Sequence, residues 1–340
     1  MPVAGNPGAG IFEQAFWGGI FGAGIFPAVI INPIILYDII FSETIQKSNI
    51  KSIKQKALYT VFRRKGRTMI RLIASDIDGT LVPDGAPSIN PEYYEVITAL
   101  QQKGIIFCPC SGRSYQSMHT LFAPIADSLY FISENGTILR TEEKILYTWP
   151  VPQEYIRPLV EEGRKLPGIS VMICTPDKTY CECGEDGALY RLMHDDYHYN
   201  IENIPDVLAV PFDQILKVSL FHNDDQIEEV CKPLTDSEWS TKVQMLCAGT
   251  KWLECVALNA GKGEAFALLQ ELLEIPQEET VYFGDNMNDI SAFSEAGASA
   301  TVSSARSEIR EAADIVAHSV KHDGVLRELK RILEVAPDHI

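Results

Sequence analysis

Ser75-Asp76-Ile77-Asp78-Gly79-Thr80-Leu81 sets two carboxylates one residue apart, directly after the apolar run Ile70-Arg71-Leu72-Ile73-Ala74. The run reads as a buried strand, so both acids stand where a strand gives way to a loop. Two carboxylates about 4 Å apart repel by roughly 4 kcal/mol at an effective dielectric near 20. A Mg²⁺ ion, for which carboxylates are preferred protein ligands, removes that repulsion. Gly79 lets the backbone turn sharply, and Thr80 supplies a hydroxyl. A carboxylate nucleophile, a neighbouring acid/base and a divalent ion form the core of a phosphoryl-transfer site. The plain alternative is a turn, which Asp-Gly pairs mark in many chains.

A second acidic cluster follows the apolar run Thr280-Val281-Tyr282-Phe283: Gly284-Asp285-Asn286-Met287-Asn288-Asp289. Ligands of open parallel sheets bind beyond the carboxyl ends of the strands. Asp76, Asp78, Asp285 and Asp289 are therefore expected to converge there, with Asp289 alternatively capping a helix that starts at Ile290. Two anion-handling segments lie between. Ser111-Gly112-Arg113 follows Ile105-Ile106-Phe107 and offers a hydroxyl and backbone N–H groups at a helix start. Lys262, in Gly261-Lys262-Gly263, precedes the helical pattern Ala265, Phe266, Leu269, Leu272, Leu273. A lysine there opposes the helix dipole unless an anion lies beside it; otherwise it is a solvated loop residue.

With these four motifs in this order, residues 69–335 resemble the haloacid dehalogenase (HAD) superfamily, in particular the Cof-type phosphatases with an α/β cap (class IIB). Asn135-Gly136 resembles the family's third-strand loop, and His322-Asp323-Gly324-Val325 its C-terminal signature. Departures are Pro109 at the end of the second core strand and Ser304 where the family usually has Asn. The resemblance implies that Asp76 is the nucleophile, forming an aspartyl-phosphate, and Asp78 the acid and then the base. It implies Mg²⁺ held by Asp76, the backbone carbonyl of Asp78 and Asp285, with Asp289 binding it or orienting its waters. Ser111, Gly112 and Lys262 would hold the phosphoryl oxygens, and Arg113 and Asn288 would help to position the substrate. The expected activity is Mg²⁺-dependent hydrolysis of small phosphorylated metabolites, sugar phosphates first. A phosphosugar mutase or phosphotransferase is the enzymatic alternative; a membrane-tethered binding module with a vestigial site is the alternative from another class.

The elements that must position these residues form an α/β chain. Strands alternating with helical patterns predict a Rossmann-like parallel sheet covered by helices on both faces, built from residues 69–146 and 256–340. Asn90, Pro91 and Gly104 mark the first helix. Strands are expected at Ala298–Val302 and Ile315–Ala317, and helices around 309–313 and 325–332. Residues 147–255 read as an inserted α/β cap entered through Trp149-Pro150-Val151-Pro152. Its strands are expected at 170–174, 179–183, 215–221, 241–246 and 252–257, and its helices at 154–165 and 225–234. A cap can close over a site and exclude water. Lys217, in Ile215-Leu216-Lys217-Val218, reads as the solvent-facing member of a strand alternation. Residues 193–200 read as loop, either substrate-reading or a solvated connection; a metal site from His194 and His198 is a third reading.

The 340-residue chain has a formal net charge of −17. Residues 1–69 hold eight Lys/Arg and three Asp/Glu, leaving 21 basic and 43 acidic residues beyond. So acidic a body argues against a nucleic-acid partner. The eight cysteines form two C-x-C pairs without zinc-like spacing, and read as buried reduced thiols suited to the cytoplasm. A soft-metal site at Cys181-Glu182-Cys183 is the lesser alternative. Residues 1–68 form an apolar then basic extension. Gln14 to Tyr37 is uncharged over 24 residues, long enough to span a bilayer. The basic Lys47–Arg67 stretch would keep the enzyme on the cytoplasmic side. The rival reading is an upstream start, with synthesis beginning at Met69 and no membrane attachment.

Overall fold

A computed structural model describes residues 69–196, 199–248 and 250–337. The chain begins β1 (Leu72–Ser75), α1 (Glu92–Gln102), β2 (Ile106–Pro109), α2 (Tyr115–Leu121), β3 (Tyr130–Ser133), β4 (Ile138–Thr141) and β5 (Ile145–Thr148). It continues with α3 (Gln153–Lys165), β6 (Ile169–Cys174), β7 (Thr179–Cys181), α4 (Ala188–Arg191), β8 (Ile201–Asn203), β9 (Lys217–His222), α5 (Ile227–Thr235), β10 (Val243–Ala248) and β11 (Trp252–Ala257). It closes with α6 (Lys262–Leu272), β12 (Thr280–Phe283), α7 (Ile290–Glu295), β13 (Ala298–Val302), α8 (Ser307–Ala312), β14 (Ile315–Ala317) and α9 (Gly324–Val335).

Five strands form the expected parallel sheet, in the order β14-β13-β12-β1-β2. β1, β12 and β13 are buried along their whole length, which is why β1 and β12 read as nearly continuous apolar runs rather than alternations. Ser75 is level with Phe283 on one side and Pro109 on the other. The segments that leave β1, β12 and β2 therefore emerge together at one sheet edge. Pro109 fits because Ile106 donates to Arg71, just before β1, and Cys110 to Ser75 at its end. Alternate residues of a strand bond to opposite sides, so Pro109 owes β1 no N–H. α1 starts at Glu92, whose N–H is accepted by the Asn90 side chain at 3.1 Å.

A second, six-stranded sheet, β10-β11-β9-β6-β7-β8, is inserted between β5 and α6. One face packs on α3 and α5 through Ile156, Val160, Val171, Leu220, Ile227 and Leu253. The opposite face carries Met172, Cys174, Cys181 and Phe221, covered by Leu189 and Met193. β8 was not among the expected strands; three residues with one buried side chain leave little pattern to read. Residues 193–196, within the segment expected as loop, belong to a π-helical turn, Leu192–Asp196, that continues α4. Burial of Met193 beside Leu189 and stacking of His194 on Tyr190, 5.3 Å apart, give the turn a helical contact pattern that its polar composition hides. His194 bonds Asp195, and His198 lies outside the described residues.

All eight cysteines are free thiols, six of them buried. Cys181 and Cys183 lie 3.5 Å apart with no third metal ligand grouped beside them among the described residues. Among the described residues no helix is long and apolar enough to cross a membrane. The readings of residues 1–68 fall outside the described residues.

Candidate active site

Asp76 leaves the end of β1 with its N–H donated to Phe283 of β12 at 2.8 Å and only 5% of its surface exposed. Gly79 has φ +80°, and a Cβ there would sit 2.3 Å from Asp285 Oδ2. Glycine is thus required twice, for its left-handed backbone and for the approach of the second acidic loop. Thr80 closes that approach, its hydroxyl donating to Asp285 Oδ1 at 2.5 Å. Asp78 sits farther out and takes a two-pronged bond from Arg113: Nε to Oδ2 at 2.7 Å and a terminal nitrogen to Oδ1 at 2.6 Å. Such forked pairing fixes a carboxylate's plane as well as its position.

Asp289 is fully buried. Its Oδ2 accepts the N–H groups of Asp285 and Asn286, both at 3.0 Å, and its Oδ1 accepts Lys262 Nζ at 2.8 Å and the Tyr282 hydroxyl at 2.9 Å. Asp289 stands at the N-cap position of α7, as the alternative had it, but its side chain makes no capping bond there. Instead Asn286 and Asp289 form a reciprocal capping box around the short turn Met287–Asp289, and Asp289 braces the loop that carries Asp285.

Lys262, at the start of α6, is 1% exposed and bonds Asp76 Oδ1 at 2.7 Å as well as Asp289. These two carboxylates supply the negative partners that its position against the helix dipole calls for. Burial works against the ammonium, yet Asp289 and Asp76 outweigh it and raise the Lys262 pKa. Asp76, Asp285 and Asp289 offer oxygens within 4.8 Å of one another. Three carboxylates facing one ammonium leave two excess negative charges. Burial, opposed by Lys262 and reinforced by Asp289 and Asp285, lifts Asp76 well above the usual carboxylate range. Burial likewise pushes Asp285 up to about 6, against the Thr80 hydrogen bond. Hard oxygen donors short of two positive charges fit a divalent cation such as Mg²⁺.

Ser111 is buried, and its hydroxyl accepts the Arg113 N–H at 3.2 Å. Gly112 is in contact range of Asn135, 3.0 Å from where a Cβ would lie. Asn288 reaches the same residue, donating to Asn135 Oδ1 at 2.9 Å. Glu134, Asn135 and Gly136 have φ of +50°, +56° and +91°, a tight left-handed turn after β3. The sequence flagged Asn135-Gly136 but missed Glu134, Tyr282, Glu254 and Lys217. Lys217 is not solvent-facing: it is 2% exposed and pairs with Glu134 at 2.6 Å and Glu254 at 2.8 Å. The alternation of β9 is real, with Val218 and Leu220 facing α3 and α5, but the other face meets the Glu134 turn rather than water.

Residues 73–329 match the family model of haloacid dehalogenase-like hydrolases. The chain is 26% identical over 270 residues to the 5-amino-6-(5-phospho-D-ribitylamino)uracil phosphatase of Escherichia coli, covering 78% of this chain and 97% of that protein. It is 23% identical over 244 residues to the HMP-PP phosphatase of Escherichia fergusonii, covering 71% and 87%. A crystal structure from Eubacterium rectale superposes with a TM-score of 0.72 at 37% identity, over 77% of this chain and 99% of that one. A HAD subclass IIB sugar phosphatase shares the fold, with a TM-score of 0.63 at 20% identity over 76% and 98%.

Proposed function

The chain belongs to the haloacid dehalogenase-like hydrolases, and from that premise we propose that it is a Mg²⁺-dependent phosphatase of small phosphorylated metabolites that works through Asp76. The observation that carries this reading is the buried Asp76–Lys262–Asp289 bridge with Asp285 beside it. A carboxylate so placed has an oxygen to offer an incoming phosphorus and a fixed ammonium next to it.

Asp76 and Asp285 would hold the Mg²⁺ together with the backbone carbonyl of Asp78, while Asp289, its oxygens already taken by four donors, braces Asp285. When bound, the cation offsets charge on the phosphoryl oxygens. In the first step an Asp76 oxygen bonds to phosphorus as the bond to the leaving oxygen breaks, and Asp78 gives that oxygen its proton. In the second, water attacks phosphorus, Asp78 takes the water's proton, and Asp76 is released. In this structure the Arg113 fork fixes the position and plane of Asp78; the acid and base steps would need one Asp78 oxygen released from it. Ser111, the Gly112 backbone and Lys262 receive the phosphoryl oxygens, and Asn288 supports their placement.

The six-stranded sheet serves as the cap. Where it meets the core, Ser114, Tyr115, Glu134, Thr175, Lys178 and Asn200 line a narrow cleft open to solvent. Hydroxyls, an amide and charges suit a hydroxylated leaving group, which favours sugar phosphates. The names of two relatives add a phospho-ribitylamino uracil and HMP-PP to the candidates. The hydrolase family speaks for water as the final acceptor over the mutase and binding-module alternatives. Free, mostly buried thiols suit a cytoplasmic setting.

The test is phosphate release from a panel of phosphorylated metabolites, with and without Mg²⁺, by the wild type and Asp76→Asn. Mg²⁺-dependent release by the wild type alone is expected. Release above about 1% of wild type by Asp76→Asn contradicts covalent catalysis, since losing a nucleophile lowers turnover by several orders of magnitude.

A further inference from the structure

The turn Glu134-Asn135-Gly136 touches each of the loops given a phosphate-binding role above. The Glu134 N–H donates to the Arg113 carbonyl and the Asn135 N–H to the Ser111 carbonyl, each at 3.0 Å. The Asn135 side chain takes the amide of Asn288 at 2.9 Å. Gly136 lies so close to Gly261 and Lys262 that a Cβ would come within 2.1 Å of the Gly261 carbonyl oxygen. Two non-glycine residues in left-handed backbone persist only where their surroundings over-determine them.

That determination comes from the second sheet. Lys217 of β9 donates to Glu134 Oε2 at 2.6 Å and to Glu254 Oε1 of β11 at 2.8 Å. The other oxygen of Glu254 accepts the Asn135 side-chain amide at 2.5 Å. A closed ring results: Lys217, Glu134, the backbone to Asn135, Glu254, and back to Lys217. Its four members are 2%, 4%, 5% and 7% exposed. An apolar cluster of the same volume would be at least as stable as buried ion pairs. What charges and hydrogen bonds add is direction, which a loop that must hold a phosphate needs.

Taking those loops as the phosphate site proposed above, we infer that Lys217 is a positioning residue for the reaction. Through Glu134, Glu254 and Asn135 it sets the turn against which the Ser111–Arg113, Lys262 and Asn288 loops are placed. The second sheet is thereby part of the phosphate-holding apparatus, and its attachment to the core is read directly by the reacting centre.

The test compares Lys217→Met, Glu134→Ala and Glu134→Gln in the full chain, with an aryl phosphate as substrate and Mg²⁺ present. Two quantities are read: kcat, and the competitive inhibition constant of inorganic phosphate, which does not depend on how much protein is folded. Lys217→Met strands two buried carboxylates and risks misfolding. Glu134→Ala leaves the Lys217–Glu254 pair intact and keeps the test decisive. For Lys217→Met and Glu134→Ala, kcat should fall about 10- to 100-fold and the phosphate inhibition constant should rise about tenfold, the range expected for lost outer-shell partners. Glu134→Gln keeps an acceptor for Lys217 and should stay within about threefold of wild type on the same scale. A Glu134→Ala protein that binds phosphate like wild type overturns the inference, as does an equal effect of Ala and Gln. Asp76→Asn separates the two levels. If it is inactive while Glu134→Ala is normal, only this inference fails; if it is fully active, the site reading fails and takes this inference with it.

Discussion

Replacing Asp289 by asparagine removes one oxygen acceptor from a place where four donors meet. The carboxylate takes Lys262 and Tyr282 on Oδ1 and the N–H groups of Asp285 and Asn286 on Oδ2. An asparagine can accept on one side only, and its amide nitrogen then faces two donors. Each lost bond to an ionised group is worth roughly 1.5–3 kcal/mol, so the gross loss is about 3–6 kcal/mol. Two effects offset part of it: the Tyr282 hydroxyl can rotate to accept from the new amide, and Asp76 and Asp285 lose a repelling neighbour. A net destabilisation of about 2–4 kcal/mol remains, in line with breaking one side of a buried pair. At roughly 2–4 °C per kcal/mol for a chain of this size, the melting temperature should drop by about 4–16 °C. Turnover should also fall by at least about tenfold, because the Asp285 loop loses its brace. The assay is a thermal melt of both proteins beside initial rates of phosphate release. A variant that melts within about 2 °C of wild type and turns over normally would show that Asp289 does not gather these four donors.

Other outcomes follow from the same geometry. Chelation should abolish activity and Mg²⁺ restore it. Saturating Mg²⁺, by filling a two-charge deficit, should also stabilise the wild type by about 2.7 kcal/mol at a hundredfold excess over its Kd, a rise in Tm that Asp285→Asn should lack; equal melting curves in all four conditions would contradict the cation site. Gly79→Ala meets both a φ of +80° and the Asp285 carboxylate; it should lose about 1–2 kcal/mol from backbone strain alone and most of its turnover, and wild-type kinetics would show that the two acidic loops do not meet here. Arg113→Lys replaces a fork by a single ammonium and should lower kcat about tenfold, as outer-shell losses do; an unchanged kcat would mean that Asp78 needs no such orientation.

The residues most legible in the sequence were those whose chemistry conflicts with their surroundings. Asp76 and Asp285 follow apolar runs, and an acid at the end of a buried parallel strand points to a site whatever its partners. Lys262 was legible for the same reason, as a cation against a helix dipole. The parallel sheet followed from unbroken apolar runs alternating with helical periods, and Ala298–Val302 and Ile315–Ala317 came out residue for residue. Lys217 was misread because a period of two separates the faces of a strand but not what covers each face. Covering by a turn some eighty residues upstream leaves no local trace. Nothing local marks Glu134, which precedes the Asn-Gly pair, or Glu254, which lies within an apolar strand; only their meeting at Lys217 distinguishes them. Tyr282 was hidden inside an apolar run, where its hydroxyl turns out to bond Asp289.

The central claim is that Asp76 itself carries the phosphoryl group between substrate and water. Rapid acid quench of a reaction with ³²P-labelled phosphate ester, followed by peptide mapping, tests it most directly. Label on the peptide that contains Asp76, absent from Asp76→Asn and discharged by hydroxylamine, is the expected result. Steady turnover with no label on that peptide at any quench time, or the same label in Asp76→Asn, would contradict it.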